Sequence, residues 1–215
     1  MPLLGAIDPD GLARRLEALS PAAVRKEEEA IGSLLRHRAV VVRWAAAQAL
    51  GRAGIGEEDL LERLGEEKNP LVLTEITESL AGSGDLRSLP KLREVAERHP
   101  SALVRSYAIL AVADLLGRHA IPYLLERRGQ ERGRRMRATI DAALFAKGAT
   151  EALPDLLASL RSRDPKIRSL VANLMAHDAP RKKRADLLAA FQKALAAETH
   201  TGVRGDLQRA IERLS

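Results

Sequence analysis

The sequence predicts an all-α fold, an α-solenoid of about six helix pairs behind an N-terminal capping helix. Composition, an internal repeat and regularly spaced prolines favour this fold. Of the 215 residues, 46% are hydrophobic but only 2% are aromatic, and the apolar content is mostly Ala and Leu. Ala and Leu are strong helix formers, whereas a β-sandwich or barrel needs β-branched and aromatic residues in alternation. The absence of Cys excludes disulfides, zinc–thiolate sites and cysteine nucleophiles.

A nine-residue template recurs along the chain, with apolar residues at its first, fifth, eighth and ninth positions. The six copies begin at Val42, Val72, Val104, Met136, Ile167 and Val203. This spacing places the apolar residues on one face of a helix, which we call helix B. Ser79 is off the pattern at the eighth position of the second copy. The second position is Arg in five copies, with Leu73 as the exception: Arg43, Arg105, Arg137, Arg168 and Arg204.

A second series marks the helix that precedes helix B. Leu89-Pro90, Ile121-Pro122 and Leu153-Pro154 are 32 residues apart. A Pro in the first turn of a helix removes no helical hydrogen bond, so each pair predicts the start of a helix A. Residues 8–19 are expected to form the leading helix, and Ser20-Pro21 then begins the first helix A. We therefore expect a single domain, 1–215, consisting of a capping segment, 1–20, and repeats at about 21–54, 55–84, 85–117, 118–148, 149–179 and 180–215.

Two segments carry a family resemblance. Asp164-Pro165-Lys166-Ile167-Arg168 resembles the D-P-x-V-R signature of HEAT repeats. Residues 42–51 resemble the V-R-x-x-A-x-x-A-L-G core of the short bacterial HEAT-like repeat of phycobilin lyases. The resemblance covers about residues 21–215 and implies helix pairs stacked into a curved solenoid. It also implies that the template arginines pair with Asp in an inter-repeat ladder, which gives Arg105, Arg137, Asp164 and Arg168 structural roles.

Enzymes related to this family supply three alternatives. Deoxyhypusine hydroxylases hold two irons through His-Glu pairs, and none of the five His residues here is followed by Glu. Bilin lyases handle a tetrapyrrole, but the sequence offers no specific bilin-binding constellation. DNA alkylation-repair glycosylases have a similar size and charge and use aromatic side chains with a catalytic Asp; Asp141 and Asp114 lie on B helices without aromatic neighbours in the adjacent repeats. We expect no enzyme activity, no cofactor and no metal.

The stripe of helix B opposite its apolar face is expected to line a concave surface. It consists of the third, seventh and tenth template positions and is mostly small and neutral. Trp44, Leu110 and Phe145 are the large apolar side chains on it, where water would be expected. They are candidate anchors for a protein partner, because binding hot spots favour large, buried side chains. Isolated exposed apolar residues are also common, and Phe145 could turn into the seam between repeats.

Positive charge is concentrated in the C-terminal part. Residues 1–125 carry 16 basic and 18 acidic side chains, and residues 126–215 carry 19 and 11. The predicted turns between helices A and B of the fourth and fifth repeats should form one basic ridge: Arg127, Arg128, Arg132, Arg134, Arg135, Arg161, Arg163 and Lys166. A ridge of this kind can attract an acidic protein or a phosphate backbone, or it can be a solvated charged turn.

The sequence therefore predicts a non-catalytic interaction scaffold that holds a protein partner, possibly acidic, on its concave face. Nucleic-acid binding through the basic ridge is the alternative. We see no signal peptide and no stretch apolar enough for a membrane span. The expectation is a cytoplasmic protein, monomeric, without membrane contact.

Overall fold

The computed structural model describes residues 8–177 and 179–215, and within these residues the secondary structure is helical with no strand. The prediction of an all-α protein is confirmed. The chain divides into two compact units, Met1–Leu115 and Leu116–Ser215. We call them unit 1 and unit 2 and describe each by itself.

Unit 1 is built around α4 and α6. Its helices are α1 Pro9–Ala18, α2 Pro21–Lys26, α3 Glu28–Leu34, α4 Val40–Ala53, α5 Glu57–Glu66, α6 Pro70–Ser83, a 3₁₀ turn Leu86–Ser88, α7 Leu89–Arg98 and α8 Ala102–Leu116. Helix α4 packs against α1, α2, α3 and α6, and α5 packs against α6. The predicted leading helix is α1, with Asp8 as its N-cap, and Ser20 caps α2 through a hydrogen bond from the Ala23 amide, as expected.

In unit 2 each helix A is followed by a helix B of equal or greater length. It contains 3₁₀ turns Gly117–Ala120, Thr150–Ala152 and Arg181–Lys183 and helices α9 Ile121–Gln130, α10 Arg134–Ala146, α11 Leu153–Ser159, α12 Pro165–His177, α13 Arg184–Ala197 and α14 Thr201–Leu214. Helix α12 packs against α10 and α14, while α13 packs against α14. The predicted prolines Pro90, Pro122 and Pro154 all lie in the first turn of their helices.

The apolar template of helix B forms the core. Every first, fifth, eighth and ninth template position is buried except Leu174 and Ile211, which are half-buried. Burial of this face drives the packing of each helix B, since apolar surface removed from water contributes about 25 cal/mol per Å².

Ser79, the off-pattern residue, marks a close approach of α4 and α6. Its side chain is buried, and its hydroxyl donates to the Ala47 carbonyl oxygen at 3.0 Å. A Cβ added at Gly51 would lie 2.6 Å from the Ser79 Cβ. The site therefore requires Gly on one helix and a small residue on the other, and the hydroxyl of Ser79 is satisfied by the facing backbone.

The helical stretch Ala102–Gln130 is, by length and composition, apolar enough to cross a membrane. This differs from the sequence expectation, because α8 and α9 follow one another with few charged residues between them. The α8 part behaves as a core helix and buries Val104, Ala108, Ile109, Ala111, Val112 and Ala113 inside the protein. The expected location and the absence of membrane contact stay predictions.

Candidate functional site

Each turn between helices A and B is closed by the side chain five residues before the first template position. That side chain accepts a hydrogen bond from the backbone amide two residues further on, at 2.8 to 3.2 Å. We call these six residues the turn-closing residues: His37, Glu67, His99, Glu131, Ser162 and Glu198. Since imidazole, carboxylate and hydroxyl groups can all accept a hydrogen bond, three residue types close the same turn.

Most template arginines reinforce the turn that precedes their helix. Nη1 of Arg43 donates to the carbonyl oxygen of the turn-closing residue His37 at 2.9 Å, and Arg105 donates to that of His99 at 2.8 Å. Arg168 and Arg204 make the same bond to Ser162 and Glu198. The arginine thus satisfies a carbonyl that has no helical partner at the end of helix A.

Two of these arginines also reach the next repeat. Arg43 makes a bidentate pair with Glu67, with Nε–Oε2 2.7 Å and Nη2–Oε1 3.1 Å. Burial would raise the pKa of Glu67, but hydrogen bonds from Arg43, the Asn69 amide and Arg63 lower it to about 2. In unit 2, Arg168 holds Glu198 in the same way at 2.7 and 2.8 Å, and this hydrogen bonding lowers the pKa of Glu198 to about 2.

The acidic partners therefore differ from the expected ladder. Asp164 accepts a hydrogen bond from the Lys166 amide, and the carboxylate paired with Arg168 is Glu198. Arg137, also expected in the ladder, is exposed, because the turn-closing residue of the next repeat is Ser162 and offers no charge. Glu67 and Glu198 were missed because they lie at the turn-closing position, two residues earlier than the Asp of the family signature.

The predicted basic residues of unit 2 lie on two neighbouring turns. Residues from both turns line one cleft of about 290 Å³, which includes Arg134, Arg137, Ser162 and Ile167. Seven cationic side chains on these turns are exposed and make no ion pair within the part of the chain that the structure describes: Arg132, Arg134, Arg135, Arg137, Arg161, Arg163 and Lys166. We call these seven residues the basic turns. Unpaired like charges at this density create a positive potential that attracts anions.

Arg127 and Arg128, predicted on the same ridge, are engaged within the protein. Arg128 forms ion pairs with Asp141 and Asp155, and so joins α10 to α11. Burial raises the pKa of Asp141, although the hydrogen bond that Arg128 donates to it opposes that shift. Arg127 donates to the Gln130 side chain at 2.7 Å. Arg128 is therefore neutralised by two carboxylates, whereas Arg127 has a neutral partner and its buried Nε makes no hydrogen bond among the described residues.

The three predicted apolar anchors differ in exposure. Trp44 and Leu110 are half-buried. Phe145 is 1% exposed, so its expected position on a surface stripe is wrong. Helix α10 packs against α9, α11 and α12, and its whole stripe, Ala138, Ala142 and Phe145, is buried. Phe145 is a core residue in this structure.

Unit 1 has an acidic cleft of about 500 Å³ at its connections from helix B to helix A. Glu28, Glu57, Glu58, Asp59 and Asp85 line it, together with Arg87. Burial and the neighbouring Asp85 carboxyl raise the pKa of Glu57 to about 6, while Arg87 donates to both carboxylates. Within residues 8–177 and 179–215, no group of three His, Asp or Glu side chains is arranged to hold a metal ion.

Comparison with protein-family models gave no match, and comparison with curated proteins gave no relative.

Proposed function

We propose that this protein is a non-catalytic scaffold of HEAT-like repeats, stacked as an α-solenoid, that binds an acidic segment of a protein partner through the basic turns of unit 2. The observation that carries the proposal is the set of seven exposed cations that make no ion pair among the described residues. Elsewhere in the described chain Arg43, Arg128 and Arg168 are paired with carboxylates. Cations left unpaired on adjacent turns favour recognition and electrostatic steering of an anionic partner.

The stacking of repeats is supported by the six equivalent turns, by the packing of α4 against α6 in unit 1, and by the packing of α12 against α10 and α14 in unit 2. Trp44 and Leu110 are the apolar side chains that we propose as contacts on the concave face. With Phe145 in the core, the charged turns take the larger part in selecting the partner.

Nucleic acid is the alternative ligand of the basic turns. The same side chains could contact phosphates, and such binding would weaken steeply with salt. No aromatic side chain belongs to the basic turns, so stacking of unpaired bases has no platform there. Among the described residues that line this cleft, Asp141 is the only buried carboxylate. It accepts a hydrogen bond from Arg128, so it is already engaged and poorly suited to serve as the catalytic Asp of a glycosylase.

The test is fluorescence anisotropy with a labelled peptide of alternating Glu and Ser and with a labelled duplex DNA, each at two salt concentrations. The peptide should bind, and Arg134→Glu/Arg135→Glu should weaken its binding by at least about tenfold. The matched control is Arg181→Glu/Lys182→Glu, the same charge change on the exposed 3₁₀ turn before α13.

The outcomes separate the two functions. Binding of duplex DNA alone, lost in the Arg134/Arg135 variant, would establish the nucleic-acid alternative. Equal weakening by both charge reversals would show that net charge and not the basic turns governs binding, and it would overturn the proposal.

A further inference from the structure

A groove of about 600 Å³ lies between α11 and α13 in unit 2. Its apolar lining is aliphatic and comprises Leu157, Leu160, Ala190, Ala194 and Ala197. The three alanines are four and three residues apart and therefore share one face of α13. The groove is open because α11 has only seven residues and because α13 presents small side chains toward it.

The polar end of the groove is already satisfied. Glu198 accepts from Nε and Nη2 of Arg168 and from the amides of Thr199 and His200. Nη1 of Arg168 donates to the Ser162 carbonyl oxygen at 2.7 Å. Because the Arg168 guanidinium and the Glu198 carboxylate are both fully hydrogen-bonded within the protein, they form one side of the groove and do not need an external ligand.

The uncompensated charge at the groove is positive. Arg161 follows α11 and Lys193 belongs to α13; both line the groove, are exposed and make no ion pair among the residues that the structure describes. Arg161 also belongs to the basic turns. The groove, which has an aliphatic floor and cations at its edges, therefore adjoins the basic turns that we propose to bind an acidic segment.

We infer that the groove between α11 and α13 holds an apolar side chain of that same acidic partner. The partner is then a peptide segment with a large aliphatic or aromatic residue flanked by carboxylates, which would face Arg161 and Lys193. This inference rests on the proposed function. A groove of this volume has room for one large side chain, and an aliphatic floor gives no donor to a phosphate. Enclosing one such side chain should tighten binding about ten- to a hundredfold.

The experiment compares two labelled acidic peptides that differ only in a central Leu or Ser. The wild-type chain should prefer the Leu peptide about tenfold or more. Ala190→Leu/Ala194→Leu fills the groove and should remove this preference while leaving the affinity for the Ser peptide unchanged. The control, Ala189→Leu/Ala196→Leu, makes the same change on exposed positions of α13 that do not line the groove. Leu is a good helix former, so α13 should persist in both variants, as circular dichroism would verify.

The failures of the two proposals are distinguishable. If both peptides bind equally tightly to the wild-type chain, the groove inference is overturned and the proposed function stands. A preference for Leu that survives filling of the groove would also overturn the inference. If neither acidic peptide binds, the proposed function fails, and the inference fails with it.

Discussion

Arg43 and Glu67 lie in successive repeats and form a bidentate ion pair in which the Glu67 side chain is only 2% exposed. The same carboxylate accepts from Arg63 and from the amides of Lys68 and Asn69. One side chain therefore closes its own turn and ties that turn to the previous repeat. Arg168 and Glu198 stand in the same relationship in unit 2.

Replacing Glu67 by Gln should destabilise the protein by about 1–3 kcal/mol at neutral pH, because the half-buried Arg43 and Arg63 guanidinium groups lose their charged partner. The pKa of Glu67 is lowered from 4.5 to about 2 in the folded state. Its stabilising contribution is therefore present above pH 4.5 and is lost as the pH falls toward 2. Urea unfolding at pH 7 and pH 3 should show a smaller difference between variant and wild type at pH 3. Glu66→Gln, an exposed neighbour, is the control and should change little.

Glu57 should show the opposite pH dependence. Its pKa is raised from 4.5 to about 6 in the folded state, so its contribution to stability is present below pH 4.5 and is lost as the pH rises through 6. Glu57→Gln imitates the protonated carboxyl and should make unit 1 more stable than wild type at pH 7.5, by roughly 1 kcal/mol or less. Glu58→Gln removes a charge from a side chain that is 92% exposed. An equal gain from both variants, measured by thermal unfolding, would argue against a specific Glu57–Asp85 contact.

The close approach of α4 and α6 predicts a large difference between two glycines. Gly51→Ala should cost about 1–3 kcal/mol, since its Cβ would overlap Ser79. Gly82→Ala, inside α6 with nothing within 4 Å of the new Cβ, should be neutral or stabilise by up to about 1 kcal/mol. The measurement is the midpoint of urea unfolding. Ser79→Gly in the Gly51→Ala background should recover part of the loss; a Gly51→Ala variant as stable as wild type would contradict the packing described.

Phe145 and Trp44 should respond differently to truncation. Phe145→Ala removes one of the largest fully buried side chains and should destabilise by about 3–5 kcal/mol through the cavity it leaves. Trp44→Ala removes a half-buried side chain and should cost roughly 1–2 kcal/mol. Calorimetric unfolding of both variants would check the order, and a reversed order would place Phe145 outside the core.

The helix pairs could be predicted from the sequence because the patterns that indicate them involve residues close together in the chain. The 1, 5, 8, 9 spacing identified the buried face of every helix B, and Pro90, Pro122 and Pro154 marked the starts of helices A. The burial of Phe145 could not be predicted in this way, because a helical wheel describes one helix and does not represent the neighbouring helices that cover its other side. A residue's exposure is set by the whole packing arrangement.

The turn-closing residues escaped detection for another reason. His37, Glu131 and Ser162 are different types of side chain. What they share is an acceptor atom within hydrogen-bonding distance of the amide two residues further on. Sequence patterns compare side-chain types, whereas this turn selects a hydrogen-bonding capacity. An acceptor residue five positions before each template copy is the signal that would have found them, and it also leads to Glu67 and Glu198.

Because every turn is closed by a bond within itself, the side chains that face outward at the start of helix B are not involved in holding it. These outward positions are Val40-Val41 on α4, Pro70-Leu71 on α6 and Arg134-Arg135 on α10. Within one short segment, some residues hold the turn and others present side chains to solvent. The outward-facing residues can therefore be exchanged without changing the turn. Replacing Val40-Val41 by a cationic pair such as Arg134-Arg135 would therefore add positive charge at the start of α4 without changing the hydrogen bond that closes the turn.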